Sequence, residues 1–200
     1  MDSVLLSTAY LPPLSYFSSI FSNDIIVLEK FEHFVKQSYR NRCEILTANG
    51  KLALSIPVLK QSDKELISEK RISYAEDWQK QHWRTITSAY KNSPYFEYFE
   101  DEFRPYYENQ YEFLFEFNTS LLQTVLNVLR LKREIRFTDH YQTDTGFISD
   151  KRNLSEIRQP FFNGQSYYQI FSPKSGFVNN LSCIDAVFNI GLETLHLKNA

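Results

Sequence analysis

Two short apolar runs stand near the start of the chain, Val4-Leu5-Leu6 and Ile25-Ile26-Val27-Leu28. Neither alternates with polar residues. An unbroken run of that length marks a strand covered on both faces, as in a parallel sheet. Between them Leu14, Phe17, Ile20 and Phe21 suit one short helix, entered through Pro12-Pro13 and ended by Asn23-Asp24. The pattern predicts strands over 4–6 and 25–28 lying side by side in parallel, with the helix as crossover, because parallel neighbours need such a connection.

Residues 38–60 read as antiparallel hairpin structure, with Ile45-Leu46 and Leu52-Ala53-Leu54 flanking Asn49-Gly50, a two-residue turn signal. Pro57 places the end of the return strand at an edge, and the polar residues 61–70 are expected as an exposed loop or short helix. Asp77 is a candidate cap for a helix to about residue 92. On it Trp78, His82, Thr85, Ile86 and Ala89 share one face, while Lys80, Arg84 and Lys91 take the other. Pro94 stops it. Glu100-Asp101-Glu102 and Pro105 then favour the start of a long amphipathic helix to about residue 131, on which Leu114, Phe117, Leu121, Val125 and Val128 repeat. Residues 134–137 read as a strand, and 142–166 as a long mobile connection. Ser182 caps a last helix over 183–190, closed by Gly191. The expected fold is α/β, a small open sheet with a parallel strand pair, an Asn-Gly hairpin and several packed helices, in a single domain over residues 1–200.

Composition narrows the function classes. A chain of 200 residues at net charge −2 lacks the basic bias of a nucleic-acid groove. No apolar run approaches the roughly 20 residues that span a bilayer. Met1-Asp2 and the break at Tyr10-Leu11-Pro12-Pro13 do not fit a signal peptide, so the expected location is the cytoplasm. Cys43 and Cys183 are far apart and outside any metal-ligand spacing, which reads as two buried thiols. No metal site and no cofactor is signalled; Asp139-His140 is a single dyad. Phosphate-binding glycine loops and a Gly-x-Ser-x-Gly elbow are both missing from the sequence. The 17 Phe and 13 Tyr suit a core, a sugar pocket or an interface.

The candidate chemistry lies in Tyr39-Arg40-Asn41-Arg42 and in the helix that follows. If that segment is extended, Arg40 and Arg42 share a face and present two guanidinium forks to phosphate or carboxylate oxygens, with Tyr39 and Asn41 on the opposite face. The plainer reading is a solvated strand face paired with Glu44. An unperturbed histidine titrates near neutrality, so His82, one turn after Trp78, could act as a general acid or base; the plainer reading is a helix histidine bonded to a backbone carbonyl. Ser182-x-x-Asp185 resembles a capping box.

The ordered set of motifs resembles the WbqC-like family. It comprises Tyr10-Leu11-Pro12 with Tyr16-Phe17, Lys36-Gln37-Ser38-Tyr39-Arg40-Asn41-Arg42, Asn49-Gly50, Leu54-Ser55-Ile56-Pro57-Val58, Trp78-Gln79-Lys80-Gln81-His82-Trp83-Arg84, Pro94-Tyr95-Phe96 and Leu181-Ser182-Cys183-Ile184-Asp185. Pro13 and Ser15 stand where longer members carry Trp and Gly; Tyr10, Pro12 and Tyr16 remain. The resemblance implies a place in surface-polysaccharide and O-antigen biosynthesis. On that basis the expected activity is group transfer to or from an activated sugar or similar anionic precursor, a sugar phosphate or nucleotide-sugar. His82 would be catalytic, and Tyr10, Tyr39, Arg40, Asn41, Arg42 and Trp78 would bind substrate in one cleft at the carboxyl ends of the first strands. The alternative is a non-catalytic binding or scaffold protein of the same machinery.

Overall fold

The computed structural model describes residues 2–60, 62, 64–143, 146, 148–155 and 165–197. In chain order the elements are β1 (Ser3–Ser7), α1 (Leu14–Phe21), β2 (Ile25–Glu29), β3 (Arg42–Thr47) and β4 (Gly50–Ser55). They continue with α2 (Trp78–Tyr90), α3 (Phe96–Phe103), α4 (Pro105–Glu108), α5 (Leu114–Val128), β5 (Glu134–Phe137), β6 (Ser149–Asp150), α6 (Ser172–Ser175) and α7 (Cys183–Ile190).

The two apolar runs are parallel neighbours, in register from Ser3 opposite Ile25 to Ser7 opposite Glu29. β5 adds in parallel to the free edge of β2, and β6 in parallel to the other edge of β1, giving the order β5-β2-β1-β6. Val4, Leu5, Leu6, Ile26 and Leu28 are fully buried, as an unbroken apolar run requires. From β1 the chain builds outward through β2 to β5, then returns to place β6 on the opposite side of β1. The direction of build therefore reverses between β1 and β6. In open α/β sheets that reversal, at the carboxyl ends of the strands, opens a crevice.

β3 and β4 form a separate antiparallel pair. Thr47 pairs with Gly50, so the two turn residues are Ala48 and Asn49, one position earlier than the Asn49-Gly50 reading; Gly50 follows with φ 101°. α2 buries Trp78, His82, Ile86 and Ala89 as the periodicity predicts. Asp77 does not cap it through its side chain and instead pairs with Lys80 at 3.1 Å.

Three expectations need correction. Glu100, Asp101 and Glu102 lie within α3 rather than ahead of a helix. The helix expected from Pro105 to about residue 131 is two, α4 and α5. Asn109 is extended, and the carbonyls of Tyr106 and Asn109, which a continuous helix would give to later amides, accept from Gln79 Nε2 at 2.9 and 2.7 Å. The amide of Ile72 likewise bonds the Glu112 carbonyl at 3.0 Å. Residues 64–70 do contain a short 3-10 helix, Ile67–Glu69, but the segment is not exposed throughout, because Glu65 and Lys70 form a buried ion pair of 2.7 Å. The 142–166 connection contains β6, and residues 144, 145, 147 and 156–164 lie outside the described set.

A single large core joins the faces of β1 and β2 to α1, α2, α5 and α7. Within it Phe188 is in ring contact with Tyr90, Phe96 and Phe103 at centroid distances of 5.0 to 5.4 Å, and Phe117 with Tyr10, Trp78, Tyr106 and Tyr111. Each such side chain taken from water contributes roughly 1.5–3 kcal/mol.

Candidate functional site

The carboxyl ends of the strands carry polar residues where each apolar run stops. Ser7 ends β1, Glu29 ends β2, Thr138 follows β5, and Asp150 ends β6. Glu29 is fully buried yet saturated with donors. Its Oε1 accepts from the Phe31 amide (2.9 Å) and the Thr138 hydroxyl (2.8 Å), and its Oε2 from the Gln142 amide (3.0 Å) and Arg152 Nη1 (3.2 Å). Arg152 also grips Asp150, with Nη2 2.6 Å from Oδ2, and its guanidinium lies over the Tyr141 ring at 4.8 Å. That grip holds the Asp150 carboxyl below its usual range.

Glu32 faces Arg40 in a second, tighter arrangement. Arg40 Nε donates to Oε1 at 2.9 Å and Nη2 to Oε2 at 2.6 Å, a two-pronged pair, while the Ser7 hydroxyl donates to Oε2 at 2.7 Å. The two side chains are 6% and 8% exposed. Arg40 Nη1 is buried and has no hydrogen-bond partner. The Arg40 carbonyl accepts from Asn118 Nδ2 at 2.7 Å, so α5 fixes the turn that carries it.

These groups meet at a cavity of about 910 Å³, walled by Glu32, Arg40, Asp150 and Arg152 with His33 and Tyr141 beside them. It lies on the carboxyl-end side of the sheet, lined by residues that follow β2, β5 and β6 together with Arg40 and Leu66. The first turn of α1 offers no free amides. Leu14 and Ser15 donate to the Leu181 carbonyl and Asn180 Oδ1, and Tyr16 and Phe17 to the Pro13 carbonyl. The anion seat that a helix N-terminus supplies is thus occupied by the chain itself.

Of the residues singled out in sequence, Arg40 is on this wall. The assumption of an extended segment does not hold, because residues 39–41 form a turn and β3 begins only at Arg42. Arg40 and Arg42 consequently part. Arg42 lies 3.9 Å from Glu44, two residues on along the strand, and Glu44 also binds Lys51 at 2.8 Å. Tyr39 is buried with its hydroxyl toward Glu44; burial first, then that carboxylate, pushes its pKa up to about 12. Its backbone ties the β1–α1 loop to the segment after β6, accepting from the Tyr10 amide and donating to the Ser155 carbonyl. Asn41 anchors to the Ile56 carbonyl at 2.8 Å and lines a neighbouring cavity.

Tyr10, Trp78 and His82 meet one another, inside the core. Tyr10 and His82 rings stack at 5.8 Å and Trp78 meets His82 edge-on at 5.1 Å. His82 bonds the Ser55 carbonyl through one nitrogen, which leaves Nδ1 to accept from the Tyr10 hydroxyl at 3.1 Å. Tyr10 in turn accepts from Tyr107 at 2.8 Å. Burial lowers the His82 pKa to about 4, so the ring is neutral at pH 7. Neither Tyr10, Trp78 nor His82 lines the strand-end cavity.

Sequence reasoning missed Ser7, Glu29, Glu32, Asp150 and Arg152. One signal was available: a polar residue directly after each buried parallel run stands at the end of the sheet where such folds bind ligands. Nothing in the sequence marked Glu32 as the partner of Arg40 or paired residues 150 and 152 with residue 29. Asp185, read as part of a capping box, is instead the centre of a buried network with Tyr90, Tyr167 and Gln169 at 2.9, 2.6 and 3.0 Å. Ser182 spends its hydroxyl on the Leu11 carbonyl.

The segments that build these features, from the β1–α1 loop through the Arg40 turn and α2 to residue 168, are the stretch that matches a known family. Residues 8–168 fit the WbqC-like protein family. The chain belongs to that family. A Mycobacterium tuberculosis (strain ATCC 25618 / H37Rv) protein, "Uncharacterized protein Rv1507c", is 25% identical over 217 aligned residues, covering 94% of each chain. No solved structure matches. In this WbqC-like protein no helix of the described residues is long and apolar enough to cross a membrane. Among the described residues no group of three or more His, Cys, Asp or Glu is placed to hold a metal ion.

Proposed function

We propose that this WbqC-like protein is a cytoplasmic group transferase that acts on an activated sugar or other anionic precursor of a surface polysaccharide, bound in the strand-end cavity. The observation that carries the reading is Arg40, a buried guanidinium on the cavity wall with Nη1 unpartnered. A buried donor without an acceptor is costly, by about 1–3 kcal/mol or more for a charged group, and is retained where a ligand supplies the acceptor. Glu32 and Ser7 hold the fork rigid, so a phosphate or carboxylate oxygen meets a preset geometry. His33 is the imidazole on the cavity wall and takes the proton-transfer role. His82, closed between Tyr10 and the Ser55 carbonyl, positions α2 against the β1–α1 loop.

A second reading, a non-catalytic binding or scaffold protein, is favoured by one fact: Glu29, Glu32 and Asp150 are all tied to guanidiniums, so none of these three carboxylates is free to act as a base. A thermal-shift screen against nucleotide-sugars and acyl and amino-acid donors tests both. A compound present at 100 times its Kd stabilises by about 2.7 kcal/mol. Arg40→Lys keeps the charge, loses the fork, and is expected to weaken that compound about tenfold or more. His33→Asn should leave binding intact and cut turnover. Equal affinity in Arg40→Lys overturns the site, and binding without turnover of any bound compound selects the second reading.

A further inference from the structure

The strand-end cavity has apolar lining as well as charged groups. Phe31, Val35, Leu66 and Tyr141 contribute it. At about 910 Å³ the cavity lies near the upper end of the range for small-molecule sites, roughly 300–1,000 Å³. It therefore has room for more than the anion placed at Arg40. Tyr141 is 48% exposed there.

The Tyr141 ring is fixed rather than free. The Arg152 guanidinium lies over it, 4.8 Å from its centre. That guanidinium is itself clamped, with Nε on Asp150 Oδ1 at 3.0 Å, Nη2 on Asp150 Oδ2 at 2.6 Å and Nη1 on Glu29 Oε2 at 3.2 Å. The next residue, Gln142, gives its amide to the same Glu29 oxygen at 3.0 Å. The Phe31 amide goes to Glu29 Oε1 at 2.9 Å. One buried carboxylate at the end of β2 thus sets the backbone of Phe31, the backbone beside Tyr141 and the cation over its ring. An exposed ring immobilised in advance loses little further freedom when a ligand stacks on it. The partner such a ring recognises is another flat π-system.

We propose that Tyr141 is the stacking platform for a nucleobase, so that the ligand class of this cavity is a nucleoside phosphate, its base on the Tyr141 ring and its phosphate toward Arg40. The inference deepens the transferase reading and rests on it for the phosphate contact; the base subsite itself stands on Tyr141, Arg152 and Glu29. It narrows the activated precursor to one that carries a nucleotide, and it makes Tyr141 a specificity-determining residue. A bare sugar phosphate fills the anion end alone.

The test is isothermal titration calorimetry on the full chain with uridine 5′-monophosphate, adenosine 5′-monophosphate and ribose 5-phosphate, which shares their sugar and phosphate and lacks the base. At least one nucleotide is expected to bind about tenfold or more tighter than ribose 5-phosphate, as base stacking on an aromatic side chain supplies. Tyr141→Ala, at an exposed position, should bring that nucleotide down to the level of ribose 5-phosphate and leave ribose 5-phosphate itself unchanged. Tyr141→Phe, which keeps the ring, should retain the advantage. Arg40→Lys should weaken nucleotide and ribose 5-phosphate by the same factor. Equal affinity for nucleotides and ribose 5-phosphate overturns the base subsite. So does the absence of saturable binding by both nucleotides, an advantage that Tyr141→Ala leaves intact, or a loss in Tyr141→Ala that ribose 5-phosphate shares. Failure of the anion site has a different signature: the base advantage persists and Arg40→Lys changes nothing.

Discussion

Replacing Glu32 by Gln strikes the best-defined feature of the strand ends. The carboxylate takes three hydrogen bonds, from Arg40 Nε, Arg40 Nη2 and the Ser7 hydroxyl, at 2.9, 2.6 and 2.7 Å. Glutamine keeps the shape but turns a donor toward a donor and leaves the Arg40 charge buried without a counter-ion. Removing one partner of a buried pair costs about 3–5 kcal/mol. For a chain of this size that corresponds to a fall in Tm of about 6–20 °C. Glu32→Leu strands the same Arg40 charge and Arg40→Met strands the carboxylate, so each should cost a similar amount. Glu32→Leu combined with Arg40→Met removes both charges and fills the volume with apolar groups. Such exchanges are often neutral or stabilising, and Ser7 retains the Arg152 carbonyl, 3.3 Å away, as an acceptor. The double variant should therefore be far more stable than the sum of the single losses, with a coupling energy of about 3 kcal/mol or more. Urea denaturation at constant m-value measures all four variants. Single losses under about 1 kcal/mol, or strict additivity, would refute the desolvated pair on which the reasoning rests.

The remaining predictions concern burial and backbone. His82 has a folded pKa of about 4, below its unfolded value, so its contribution is complete above pH 6.5 and is lost as pH falls toward 4; the stability advantage of the natural chain over His82→Gln should shrink by about 3 kcal/mol between pH 7 and 4, read from urea midpoints. Asp185 runs the other way: burial raises its pKa to about 6 despite three donors, so the stability it contributes at low pH is lost as pH rises through 6. Asp185→Asn should therefore gain about 3 kcal/mol relative to the natural chain between pH 4 and 7, and a pH-independent difference would show that the carboxyl is not desolvated. Gly191 closes α7 at φ 58° and ψ −130°, and an added Cβ would stand 2.8 Å from the Tyr95 ring. Gly191→Ala should cost about 1–3 kcal/mol from backbone strain alone, with the clash in addition; an unchanged Tm would count against this account.

The fold was legible wherever local pattern and tertiary demand agree. Unbroken apolar runs fixed β1 and β2 as buried parallel neighbours, because only a strand covered on both faces needs apolar residues at every position. Periodicity 3.6 fixed the buried face of α2 for the same reason. Pattern failed at residues 105–113, where the amphipathic spacing continues but Gln79, from another helix, takes the carbonyls that would have extended the first turn. It failed again at β6, since two residues carry too little periodicity to register.

The site divides along the same line. The sequence by itself determined that Arg40, His82 and the aromatics were unusual, and through ordered motifs it pointed to the WbqC-like family. It did not determine which of them face a cavity. Arg40 and Arg42 are two apart, yet a turn at residues 39–41 sends one to Glu32 and the other to Glu44. His82 carries the signature of a proton carrier, but burial in the core, against residues distant in sequence such as Tyr10, lowers its pKa and holds it neutral. Ser7, Glu29, Glu32, Asp150 and Arg152 come from separate parts of the chain and become one site only when the strands align their carboxyl ends. Side-chain chemistry is written locally. Burial, charge partners and convergence are properties of the packed chain, and those decide which of its ionisable groups are left to meet a ligand.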